Sequence, residues 1–90
     1  MSELEILTKR LIDERSVGHT TICCIEEMSE LTKVLCKMLN NRSFSRSNLT
    51  EEVAHALLMI SVVASQFSIT QEQVDKEQVS SLRKCFDGII

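Results

Sequence analysis

The chain has 90 residues, enough for one domain over 1–90, yet a chain this short hides only about 60–65% of its unfolded surface, so a second copy is expected to complete its core. With 43% hydrophobic residues it is too apolar for a disordered tail, and with no proline, two glycines and three aromatics it lacks the material of a turn-rich β fold. A net charge of −3, mixed along the chain, leaves no basic footprint for nucleic acid, no apolar run nears the roughly 20 residues that span a bilayer, and the first residues carry no signal-peptide pattern; a cytoplasmic protein without membrane contact is expected.

The first element is a helix over about 2–15, with Leu4, Leu7, Leu11 and Ile12 at helical spacing. Ser2 is placed to cap it and Glu5 to complete a capping box. Residues 16–21 contain Gly18 and several β-branched or hydroxyl residues, which predicts a break. A second helix follows over about 20–40. Cys24, Met28, Leu31, Leu35 and Met38 form a coiled-coil-like seam along it, and Cys23, Glu27, Glu30 and Val34 lie on the neighbouring face, with Glu26 beside them. Asn40 and Asn41 end it.

A polar loop over 42–47 contributes Arg42 and Arg46. Asn48 is the expected cap of the third helix, with Glu51 at the capping-box position. That helix is apolar nearly all round, through Leu49, Val53, Ala56, Leu57, Ile60, Ala64 and Phe67 on one stripe and Leu58, Met59, Val62 and Val63 beyond it, so it is expected at the centre. Ser68 or Thr70 caps a fourth, more polar helix reaching Phe86, with Val74, Val79 and Leu82 as a thin apolar face. The fold class is all-α, a bundle of about four helices.

Four cysteines, Cys23, Cys24, Cys36 and Cys85, include no C-x-x-C pair. His19 and Cys23 stand one turn apart as a conceivable metal pair, but buried reduced thiols acting as small hydrophobes are the expected role.

The chemistry concentrates in two strings, Glu26-Glu27-Met28-Ser29-Glu30 and Glu51-Glu52-Val53-Ala54-His55. Residues three and four apart share a helix face, so Glu26 or Glu27 can converge with Glu30, and Glu52 with His55. Antiparallel helices would bring the two groups together. Carboxylates facing one point repel unless a cation sits among them, and hard oxygen ligands around a hydrated site suit Mg²⁺. Solvated helix faces are the plain alternative, weakened here by the apolar neighbours of both strings.

This pattern resembles the MazG-like all-alpha nucleoside-triphosphate pyrophosphohydrolases, whose signature is E-E-x-x-E, a gap, then E-x-x-D in an apolar helix. The resemblance rests on Ile-Glu-Glu-Met-Ser-Glu-Leu-Thr-Lys at 25–33 and Leu-Thr-Glu-Glu-Val-Ala-His-Ala-Leu-Leu-Met-Ile at 49–60, covers roughly 15–84, and looks most like the short phage and prophage members. It implies a helical bundle assembled as a homodimer or homotetramer, with Mg²⁺ gripping a nucleoside triphosphate that water splits into the monophosphate and pyrophosphate. Carried over by position, Glu27, Glu30 and Glu52 match the metal-binding acids, and Glu26 the adjacent glutamate, so Glu26 and Glu27 are the catalytic candidates. His55 stands where the family has aspartate, which favours Mn²⁺ over Mg²⁺. Thr20 replaces a polar residue that is often glutamine, and Gln78 and Ser81 stand where basic residues are expected.

Lys33, Arg42 and Arg46 are the expected phosphate-binding cations, and Phe44 and Phe67 weak candidates for stacking on a base. Two other readings accompany the hydrolase. One is a degenerate member binding nucleotide or protein without turnover. The other is a di-metal carboxylate bundle, since Glu52-Val-Ala-His55 is the E-x-x-H string of such sites.

Overall fold

The computed structural model describes residues 1–40 and 45–88, and these hold four helices and no strand. The helices are α1 Glu3–Glu14, α2 Val17–Leu39, α3 Arg46–Gln66 and α4 Gln71–Phe86. No single one of them is long and apolar enough to cross a membrane. Each begins at a hydroxyl residue in extended backbone whose side chain accepts an N–H of the first turn: Ser2, Ser16, Ser45 and Thr70.

Two of these caps move an expected boundary. The break expected over 16–21 is only the extended pair Arg15–Ser16, because the Ser16 oxygen takes the His19 N–H at 3.2 Å and starts α2 at once. Gly18 falls in the first turn, and the Thr20 and Thr21 hydroxyls donate back to the carbonyls of Ser16 and Val17, so residues that read as helix breakers are absorbed. Likewise Ser45, not Asn48, caps α3, accepting the Asn48 N–H at 3.2 Å. Arg46 therefore opens the helix rather than belonging to a loop. Asn41, Arg42 and Phe44 lie outside the described residues.

α2 and α3 run antiparallel, Thr20 at the start of one meeting Gln66 at the end of the other. Between them the core is Cys24, Met59 and Val62, the last wholly enclosed, with Leu11 and Ile12 of α1 packed against it beside Cys23, Leu58 and Val63. Thr20 is also fully buried. Its hydroxyl bonds the Gln66 side-chain oxygen, while Gln66 Nε2 donates to the Arg15 carbonyl at 3.1 Å. One glutamine thus clasps the end of α3 to the α1–α2 junction.

The face of α2 turned to α3 is the Thr20–Cys24–Glu27–Leu31–Val34 stripe. The expected seam shares Cys24 and Leu31 with this stripe, while its Met28, Leu35 and Met38 lie beside it and stay 42%, 39% and 41% exposed. α3 is central in that both α1 and α2 touch it, yet Val53, Leu57 and Ile60 face outward, so a single chain covers it on one side only. Cys24 is buried and Cys23 half-buried as expected of core thiols, but Cys36 and Cys85 are exposed.

At the end of α3 the chain turns sharply. Ser68 takes a left-handed conformation (φ 59°), the Ile69 N–H reaches back to the Ala64 carbonyl at 2.9 Å, and the Ser68 N–H to that of Ser65 at 3.1 Å. Thr70 and Gln73 then form a reciprocal capping box, at 2.8 and 3.2 Å. With both sides of the turn bonded, α4 leaves at 116° to α3 and, among the described residues, its backbone approaches no other helix.

Candidate metal centre

Glu27 projects from the inward stripe of α2, one turn beyond Cys23 and Cys24 and one turn before Leu31. Glu52 and His55 sit on the first half of α3, one turn before Ala56 and Met59, which are buried. The stripes that bury Cys24 against Met59 therefore carry these three polar side chains to one place. A single ligating atom from each of Glu27, Glu52 and His55 lies within 4.8 Å of the other two. His55 Nδ1 stands 3.3 Å from Glu27 Oε2, with the two side chains 46% and 32% exposed, so the cluster is walled by the helices and open to water on one side.

Glu52 Oε2 is buried without a hydrogen-bond partner among the described residues. An unpaired carboxylate oxygen out of water costs several kcal/mol unless a proton or cation meets it. No lysine or arginine is paired with this cluster among the described residues. Two carboxylates and an imidazole form a mixed oxygen and nitrogen donor set, suited to Mn²⁺, Fe²⁺ or Zn²⁺ more than to Mg²⁺. Around such an ion ligand atoms stand roughly 3–4 Å apart, so small side-chain rotations close the present spacing onto one. The residues fit a divalent ion.

The other expected site residues stand outside this contact. Glu26 is exposed on the adjacent face of α2. Glu30 is exposed one turn beyond Glu27, its carboxylate held 3.1 Å from Lys33 Nζ. The fold thus joins the two strings through Glu27, Glu52 and His55 and leaves Glu30 outside their contact. Arg46 is exposed in the first turn of α3, Arg42 lies outside the described residues, and Phe67 is exposed at the far end of α3. The His19–Cys23 pair, 3.7 Å apart, has no third ligating side chain among the described residues, and the Arg15 guanidinium sits 3.4 Å from the same imidazole nitrogen. A fixed cation there opposes a metal.

Two features of the neighbourhood were not legible in the sequence. The unpaired Glu52 oxygen depends on how deeply α3 is set against α2. The Thr20–Gln66 clasp joins residues of ordinary polarity with no shared motif. Comparison of the chain with protein-family models, with curated proteins and with solved structures finds no match.

Proposed function

We propose that this chain is a divalent-metal-dependent nucleoside-triphosphate pyrophosphohydrolase of the MazG-like all-alpha kind, acting in the cytoplasm as a homodimer or homotetramer. The observation that supports it is the meeting of Glu27, Glu52 and His55, drawn from both strings of the resemblance, beside a buried carboxylate oxygen with no partner. In this reading Glu27, Glu52 and His55 hold the ion, with Glu30 as a further acid one turn along α2. The ion, when bound, supplies the positive charge that offsets the phosphate oxygens.

The rest belongs to the chain's own residues. Lys33 and Arg46, with Arg42, bind the outer phosphates as cations. Glu26, next to the cluster and open to water, takes a proton from the attacking water. Its oxygen bonds the α-phosphorus, the α–β bridging oxygen departs with pyrophosphate, and the nucleoside monophosphate remains. His55 in place of an aspartate leaves the site one negative charge short, which moves its preference from Mg²⁺ towards Mn²⁺.

A second reading, a nucleotide- or protein-binding module without turnover, is favoured by one contact. The 3.3 Å approach of His55 to Glu27 is also what a ring tying α2 to α3 would make. A pyrophosphate-release screen over common and non-standard nucleotides, run with Mg²⁺ and with Mn²⁺, separates the two. Turnover stronger with Mn²⁺ is the expected outcome. His55→Asp should raise Mg²⁺-dependent hydrolysis, and Glu30→Gln should abolish it. Unchanged Mg²⁺ binding and turnover in His55→Asp would remove position 55 from the metal site.

A further inference from the structure

α4 is a regular, doubly anchored helix with no surface of its own chain to pack against. Val74 and Leu82 line a shallow, mostly apolar groove along it, together with Ile69, Gln78, Ser81 and one acidic residue, Glu77, and Leu82 is 57% exposed. The turn before α4 is bonded on both sides, by the Ser68–Ile69 hydrogen bonds to α3 and by the Thr70–Gln73 box, so its projection is built in.

The size of the uncovered surface points to a second copy. The chain exposes 7243 Å², whereas a compact protein of its 10.2 kDa exposes about 5,300 Å². The excess, roughly 1,900 Å² over the whole chain and shared between α4 and the outward face of α3, is more than twice the 800 Å² or so that each partner hides in a standard stable interface. The radius of gyration agrees, at 15.7 Å where about 12 Å is usual for this length.

Charge selects which surface of that copy. The first half of α4 carries Glu72, Asp75 and Glu77 against a single Lys76, and the last turn carries Arg83 and Lys84. None of these is ion-paired among the described residues. When a two-fold axis crosses the middle of a helix, that helix meets its own copy antiparallel, each residue facing its mirror position about the centre. Around Gln78 this sets Val74 opposite Leu82 and Glu72 opposite Lys84, with Asp75 two positions from the residue that faces Arg83 and Glu77 opposite Val79.

We propose that α4 is a self-docking helix, pairing antiparallel with α4 of a second copy through the Val74–Leu82 face. Self-association is already part of the proposed function; its seat on α4 goes beyond that reading and does not depend on the metal centre.

Sedimentation of the full chain over a concentration series tests it, with circular dichroism confirming helix content. The wild type should be dimeric at micromolar concentration, or a multiple of two. Val74→Asp combined with Leu82→Asp should give folded monomers, since neither residue supports the α2–α3 core. Arg83→Glu with Lys84→Glu should raise the dissociation constant roughly tenfold, the scale of a few exposed ion pairs turned repulsive. Glu72→Lys with Asp75→Lys should do the same, and joining all four changes should restore wild-type association. A monomeric wild type overturns the proposal. So does association that survives Val74→Asp/Leu82→Asp, or charge reversals that fail to rescue one another, because α4 would then meet some other surface. Divalent-ion binding by the folded monomers, measured by calorimetry, keeps a failure of this interface distinct from a failure of the metal centre.

Discussion

The α2–α3 hairpin and α4 are built from the same local devices and end in opposite situations. All three helices are opened by a hydroxyl cap, and α4 alone of them has a reciprocal capping box. The hairpin encloses Cys24, Met59 and Val62, whereas α4 encloses nothing. Capping and periodicity therefore make a helix but do not decide its worth to the fold, because the larger gain comes from apolar surface removed from water against a partner. The same contrast explains why the chemistry sits on the hairpin. Glu72, Asp75 and Glu77 of α4 are as many acids as the first string holds, but they stay on an exposed surface, where water screens them. Glu27 and Glu52 are carboxylates carried into a seam, where Glu27 meets His55 and one buried oxygen of Glu52 has no partner among the described residues.

The widest separation expected between the two regions is in stability. Met59→Ala should lower unfolding free energy by about 2–5 kcal/mol, as for buried methionines elsewhere, and Leu82→Ala by less than about 0.5 kcal/mol in solutions too dilute for association. Denaturant titrations of both variants check this. Similar losses would mean that α4 packs within its own chain after all.

The next effect sharpens what the seam does to a carboxylate. Glu52→Gln removes a buried charge whose oxygen is unpaired, so without metal it should raise stability by about 1 kcal/mol. The same change should abolish Mn²⁺-dependent stabilisation and any hydrolysis. Thermal melts with and without Mn²⁺ read both signs at once, and a destabilised metal-free variant would show the ionised Glu52 already satisfied. In solutions too dilute for association, Glu72→Gln on α4 should move neither melt.

The smallest effect lies at the joint between the regions. Ser68 occupies the left-handed position that closes the helix terminus, where glycine carries no Cβ penalty. Ser68→Gly should stabilise the chain by about 0.5–1 kcal/mol less the entropy that glycine adds to the unfolded state, leaving the direction of α4 unchanged. Destabilisation beyond that margin would show the Ser68 side chain making a contact of its own.

What the amino-acid sequence determined was whatever acts within a few residues along the chain. The all-helical class, the Ser2 and Thr70 caps, the end of α2 near Asn40 and the i, i+3 pairing of Glu52 with His55 all follow from hydrogen bonds and side-chain spacing inside one helix. Even where local reading erred, at Gly18 and at Asn48, another short-range signal stood nearby, for Ser16 and Ser45 carry equally good capping oxygens. The tertiary structure alone decided how the α2 seam turned, with Cys24 and Leu31 facing α3 beside Thr20, Glu27 and Val34, and Met28, Leu35 and Met38 left exposed. The Thr20–Gln66 clasp and the packing of Leu11 and Ile12 onto the hairpin settle that rotation, and with it whether Glu27 or Glu30 joins Glu52 and His55. Helix rotation is set by burial summed across residues far apart in the chain, and no single-helix pattern contains that sum.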